Sequence, residues 1–125
     1  MIDFENKSYL KLKETDKNDF MDLIGGILVK GEEVVSCYRS VRDGVVFTNK
    51  RLIAINIQGI TGKKKAITVL PFDRIQAFSV ETAGVIDLDS ELYLWFSGMG
   101  QIMFEFTSRT DVSAICRHIG ECIMD

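Results

Sequence analysis

From Asp16 onward the apolar positions recur on a helical period. Phe20, Leu23, Ile24, Ile27 and Leu28 fall at i, i+3, i+4, i+7 and i+8 and make one stripe. Asp16 suits the N-cap, and Asp19 suits the first turn, where the positive helix end favours an anion. The spacing predicts a helix over about residues 16–29. Gly25 and Gly26 weaken its interior by about 1 kcal/mol each relative to alanine.

Beyond Gly31 the period falls to two. "EVVSCYRSVR" reads as a strand that reaches a tight hairpin at Asp43-Gly44. "VVFT" follows, then a short turn at Asn49-Lys50, then "RLIAINIQ" with Ile53, Ile55 and Ile57 on one face. "AITVLPF" is a fourth strand, with Pro71 marking its end or an edge because proline cannot donate to a ladder. "RIQAFSVET" is a fifth, and "AGVIDLDS" is a loop. "ELYLWFS" turns Leu92, Leu94 and Phe96 inward and Tyr93 and Trp95 to the other face. After a turn at Gly98-Met99-Gly100, "QIMFEFT" repeats the alternation through Ile102, Phe104 and Phe106.

The last segment returns to a helical period. Thr110 can cap it, Asp111 opens the first turn, and Val112, Ile115, Cys116, Ile119 and Ile123 form the stripe. Seven hairpin-linked strands and one amphipathic helix predict a mostly β, β-rich α+β fold. It is an antiparallel β-sandwich or partly open barrel whose mouth the C-terminal α-helix covers. Residues 1–30 form an N-terminal extension carrying the first helix, and residues 31–125 form the domain.

Composition agrees with one compact unit of 125 residues, 46% of them hydrophobic, with one proline. No apolar run approaches the roughly 20 residues that span a bilayer. The charged start, "MIDFENKSYLKLKETDKNDF", lacks the apolar centre of a signal peptide, so a cytoplasmic location is expected. The net charge of −3 is unevenly spread. Residues 1–36 carry five basic and eight acidic side chains, residues 37–76 eight and two, and residues 77–125 two and eight. A molecule with one basic and one acidic region attracts its own copies head to tail.

Candidate chemistry is sparse. "GITGKK" has two residues between its glycines, lysine where a phosphate loop needs Ser or Thr, and a strand after it, which excludes a nucleotide cradle. Cys37, Cys116 and Cys122 form no close pair and read as reduced thiols. With His118 as the single histidine, neither a zinc site nor a nucleophile–base pair is expected. A minor enzymatic reading would need Asp87, Asp89 or Cys37 grouped with His118. The run "DLDSE" lacks the glycine and spacing of a calcium loop. The pI of about 5.2 speaks against nucleic acid. No enzyme activity, cofactor or metal is expected.

The run "DGVVFTNKRLIAINIQGITGKKK", leading into "VLPFDRIQAFSVE", carries a resemblance. With its "TNKR" turn and lysine-bearing loop between strands, the chain over roughly residues 31–124 resembles the pleckstrin-homology (PH)-like superfold, and more narrowly bacterial PH-domain proteins. The resemblance implies a seven-stranded sandwich capped by a C-terminal helix and a non-catalytic binding module. Similar bacterial proteins are associated with homo-oligomeric, ring-like assembly.

Lipid-binding relatives in the superfold use a long basic first loop, whereas here that turn is tight and bears Asp43. Lys63, Lys64 and Lys65, with Lys50, are the candidate contact for an anionic headgroup, an anionic membrane surface or a protein partner. A solvated loop is the plainer reading of the same lysines. Tyr93, Trp95 and Met99 are a candidate interface, unless the N-terminal helix covers the first two. The expected partners are other copies of the chain and an unknown protein.

Overall fold

The computed structural model describes residues 9–82, 89–107 and 110–124. Among the described residues there are eight strands: β1 (Tyr9–Thr15), β2 (Val34–Arg39), β3 (Gly44–Thr48), β4 (Arg51–Gln58), β5 (Lys64–Pro71), β6 (Ile75–Glu81), β7 (Ser90–Phe96) and β8 (Gly100–Phe106). They lie in the order β5-β4-β3-β2-β1-β8-β7-β6. Neighbours pair antiparallel except β1 and β8, which run parallel. Seven of these strands are the expected ones.

The eighth, β1, comes from the segment expected to be an appendage, and it joins the two halves of the sheet. Tyr9 and Leu12 both enter the main core, although three residues apart, because the ladder to β8 slips between them. Lys11, at φ 55°, is the backbone position that absorbs the slip.

Curling the sheet encloses a core of Tyr38, Val45, Phe47, Leu52, Leu70, Leu92, Leu94, Phe96, Ile102, Phe104 and Phe106. One end is closed by α2 (Val112–Met124), which buries Val112, Ile115 and Ile119. Its cap is Asp111 and not Thr110: the Asp111 carboxylate accepts the Ala114 N–H at 3.1 Å. Five- to six-ångström edge contacts of Tyr38 with Phe47 and Phe106 tie β2, β3 and β8 together inside.

The helix expected over 16–29 is a single turn, α1 (Met21–Ile24). Asp16 does not cap it; its carboxylate accepts the Asn18 N–H at 2.8 Å and turns the chain out of the sheet. The glycine pair ends the turn as soon as its task is done. That task is to lay Phe20 and Ile24 over Cys37, Val46, Ile53 and Ile55, a second cluster on the outer face of the β2–β4 sheet. Both faces of β3 are therefore covered, and all five of its residues are buried.

The β2–β3 hairpin also differs from the expected Asp43-Gly44 turn. Ser40 donates its N–H to the Asp43 carbonyl at 2.9 Å, so Val41 and Arg42 form the turn and Gly44 opens the next strand. Glycine is needed at 44 for space: a Cβ there would stand 2.1 Å from Cζ of Phe20.

Between α1 and β2 the chain is held by a buried ion pair. Arg51 meets both Glu32 oxygens, Nε to Oε2 at 2.8 Å and Nη2 to Oε1 at 2.9 Å. Thr48 and the Val29 N–H complete the carboxylate's bonds.

Candidate functional site

The strand order follows the chain order on each side of β1, so the basic and the acidic strand segments fall in two halves of the sheet, although residues 16–33, which pack over β2–β4, add five acids and two lysines to the basic half. Residues 34–71, which hold β2–β5, carry seven Lys and Arg and the single acid Asp43. Residues 75–106, which hold β6–β8, carry no Lys or Arg and five acids. Two of the seven cations work internally, Arg39 pairing with Asp19 and Arg51 with Glu32.

Lys63 lies in the turn after β4, while Lys64 and Lys65 belong to β5, opposite Gln58 and Ile57. Only the first was correctly placed by reading a loop there. All three are exposed. The same end carries the β2–β3 turn, whose Arg42 donates through Nη2 to the Gly59 carbonyl at 2.6 Å. A cation from the first hairpin thus joins the lysines, a residue the sequence reading missed because the turn was recognised by its aspartate.

Asp43 does not face the lysines as a free charge. Its Oδ1 accepts Asn56 Nδ2 and the Ile57 N–H, each at 3.0 Å. Lys50 is exposed but stands at the other end of β4, roughly 23 Å away along the strand at 3.3 Å per residue. The structure separates it from Lys63–Lys65.

On β7, Tyr93 and Trp95 point out of the core and stack with centroids 6.2 Å apart. Their cross-strand neighbours are Ser79 and Ala77 on β6 and Met103 and Gln101 on β8. Neither ring belongs to the cluster under α1, which covers the opposite half of the sheet. Partial burial, then the Glu81 and Glu91 carboxylates, pushes the Tyr93 phenol up from its ordinary value. This face is aromatic at its centre and acidic along one end, where Glu81, Glu91 and Glu105 lie side by side across the three strands. Met99 is elsewhere: it sits in the β7–β8 turn, between Gly98 and Gly100 at φ 84° and 85°, and packs against the main core.

The residues of the enzymatic reading do not assemble. Cys37 is buried on the outer face under Phe20, and Asp89 pairs with Lys11. Asp87 falls outside the described residues. His118 projects from α2 beside Phe72, with Nε2 2.7 Å from the Thr48 carbonyl, to which it donates. Its nearest thiol is Cys122, 3.8–3.9 Å from the two ring nitrogens, and that thiol donates to the Asn49 carbonyl. Among the described residues no three His, Cys, Asp or Glu side chains converge to hold a metal ion, and no helix is long and apolar enough to cross a membrane.

Comparison with known proteins places this geometry. Residues 3–123 match the family model described as the bacterial PH domain. A DUF1696 family protein with a pleckstrin-homology domain from Shewanella loihica superposes with a TM-score of 0.81 at 39% identity, over 91% of this chain and 98% of that one. A pleckstrin homology domain from Shewanella amazonensis gives 0.68 at 40%, over 96% and 94%. The uncharacterised protein YjqA of Bacillus subtilis is 56% identical over 72 residues, and that match spans 58% of each chain. The match to the family model runs through β1 as well as the seven strands read from the sequence, and the chain belongs to the bacterial PH domain family.

Proposed function

We propose that the chain is a non-catalytic, cytoplasmic binding and assembly module that associates with its own copies head to tail. The observation that carries this reading is the strand order, which gathers the cations on β2–β5 and the acids on β6–β8. The exposed β5 edge with Lys64 and Lys65 complements the outer face of β6–β8, where Tyr93 and Trp95 supply a desolvatable centre flanked on one side by the cross-strand row Glu81, Glu91 and Glu105. A contact between two different patches is heterologous, and it closes into a ring when its rotation divides a full turn.

The test is the native mass by light scattering, at low and high salt. A discrete oligomer at low salt that shrinks in Lys63→Glu/Lys64→Glu/Lys65→Glu or in Trp95→Ser supports the reading. A monomer at low salt and high protein concentration refutes it.

The second reading is contact with an anionic membrane surface, favoured by the convergence of Arg42 with Lys63–Lys65 at one end of the barrel. Such residues contribute about 1 kcal/mol each near anionic lipid. Co-sedimentation with phosphatidylserine-containing vesicles, sensitive to salt and to Lys63→Glu/Lys64→Glu, distinguishes it from self-assembly.

A further inference from the structure

The ladder between β1 and β2 covers only Cys37–Arg39, because β1 stops at Thr15 and the chain leaves the sheet at Asp16. Among the described residues, Val34–Ser36, the first half of β2, has β3 on one side, in a ladder that slips between Val34 and Ser36, and no strand on the other. Beside this edge lies a cavity of about 370 Å³ between β2 and the first turns of α2. That size falls in the range of about 300–1,000 Å³ usual for ligand pockets.

Tyr38, Phe47 and Ile115 are buried and give the cavity an apolar and aromatic floor. Glu14 and Asp111, both exposed, stand at its rim, and none of its lining residues is a lysine or arginine. The cap of α2 uses one of the two Asp111 oxygens. His118 also lines the cavity, but its Nε2–H is committed to the Thr48 carbonyl. The carboxylates are felt inside. Burial raises the Tyr38 phenol above its ordinary value, a hydrogen bond with Ser36 opposes this, and the charges of Glu14 and Asp111 raise it further.

We propose that this groove docks an extended segment of a partner protein, which continues the line of β1 along Val34–Ser36 and inserts a lysine or arginine side chain into the cavity. Three features specify that occupant. The strand edge at Val34–Ser36, bent by the register slip at Val35, spans at most about 10 Å and offers its backbone groups to an extended segment. The apolar floor suits the methylene stem of a long cationic side chain, whose charged head then reaches the rim. The two carboxylates choose the sign of that head. The site lies at the α2 end of the barrel and uses neither the lysine cluster nor Tyr93 and Trp95, so it stands apart from the assembly reading.

The experiment titrates the full chain with a library of extended heptapeptides, β-branched at flanking positions and carrying Lys, Arg, norleucine or Glu at the centre. Fluorescence anisotropy reads binding, and amide chemical shifts read the location. The proposal expects Lys or Arg peptides to bind, norleucine peptides to bind at least tenfold more weakly, and Glu peptides not to bind. Shifts should fall on Val35, Ser36, Ala114 and Ile115.

In Glu14→Gln/Asp111→Asn the affinity for the cationic peptides should drop about tenfold or more, while asparagine still caps α2. Ala114→Phe fills the cavity without changing charge and should abolish binding in a chain whose circular dichroism is unchanged. Equal affinity for Lys and Glu peptides, indifference to both variants, shifts confined to the outer face of β6–β8, or no binding at millimolar concentration would each overturn the proposal.

Discussion

Replacing Gly44 with alanine tests whether the outer cluster is as tightly built as its geometry says. The added Cβ would lie 2.1, 2.5 and 2.8 Å from Cζ, Cε2 and Cε1 of Phe20. Ordinary carbon contacts need about 3.5–4.0 Å, so the ring must retreat by roughly 1.5 Å. It has little room to do so. Phe20 is 1% exposed, the Arg39 guanidinium stands 4.4 Å from its centroid, and Ile24, Val46 and Ile53 share its cluster.

Overpacking of this kind costs about 1–3 kcal/mol, against a gain of about 0.4–1 kcal/mol from restricting the unfolded chain. The expected net effect is a loss of about 1–2 kcal/mol, read as a lower urea midpoint at unchanged slope and a Tm lower by roughly 3–8 °C. In a Phe20→Ala background the clash has no partner, and the same Gly44→Ala change becomes neutral or stabilising. If Gly44→Ala stabilises the wild-type chain, or costs the same in both backgrounds, the close-approach reasoning is refuted.

Glu32→Gln strands the Arg51 guanidinium and should cost about 3 kcal/mol at pH 7 in urea unfolding. Burial pushes the Glu32 carboxyl up, but its bonds from Arg51, Thr48 and Val29 outweigh this and hold it below the ordinary 4.5. Its contribution is therefore complete above the unfolded-state pKa and is lost as pH falls through the folded one, so the gap between wild type and Glu32→Gln should shrink below about pH 4.5. Leu12→Ala, at a fully buried β1 position, should cost about 2–5 kcal/mol; a loss under 1 kcal/mol would mean that β1 is an ornament on the sheet. Burial, and then the charges of Asp19 and Asp16, raise the Cys37 thiol to about 11 despite Arg39, so iodoacetamide at pH 8 should leave Cys37 unmodified until the chain is unfolded, as peptide mass spectrometry would show.

The parts of the fold that were legible are those where one face of an element meets one core. In β7 and β8 the side chains alternate strictly, and Leu92, Leu94, Phe96, Ile102, Phe104 and Phe106 were read inward from spacing alone. In β1 the slip at Lys11 sends Tyr9 and Leu12 to the same side, a spacing of three that imitates no strand. Of the stripe from Phe20 to Leu28, Phe20, Leu23, Ile24 and Leu28 share one cluster, yet only one turn is helical and Ile27 stays 41% exposed. Lys64 and Lys65 joined β5 because pairing with β4 runs on past the apolar positions, which no pattern of their own could announce. Arg42, and the grouping of Glu14, Ser36 and Asp111 around one cavity, depend on elements far apart in sequence.

The two kinds of candidate surface differ in what they demand of the core, and this difference decides how variants at each are to be read. Tyr93 and Trp95 occupy the outward positions of a strand whose inward positions, Leu92, Leu94 and Phe96, hold the core by themselves. Lys63, Lys64 and Lys65 are exposed. Truncating the half-buried, stacked Tyr93 or Trp95 also removes packing and needs a matched stability measurement. Changes at the lysines can alter association while leaving stability nearly untouched, since surface substitutions usually stay within about 0.5 kcal/mol. The cavity beside α2 has no such separation. Its floor residues Tyr38, Phe47 and Ile115 are members of the main core, and Tyr38 holds edge contacts to Phe47 and Phe106. Any substitution that reshapes the floor also costs fold stability, whereas the rim carboxylates Glu14 and Asp111 are exposed. A binding defect from the floor therefore proves nothing without a matched stability measurement, while one from the rim speaks directly to recognition of a cation.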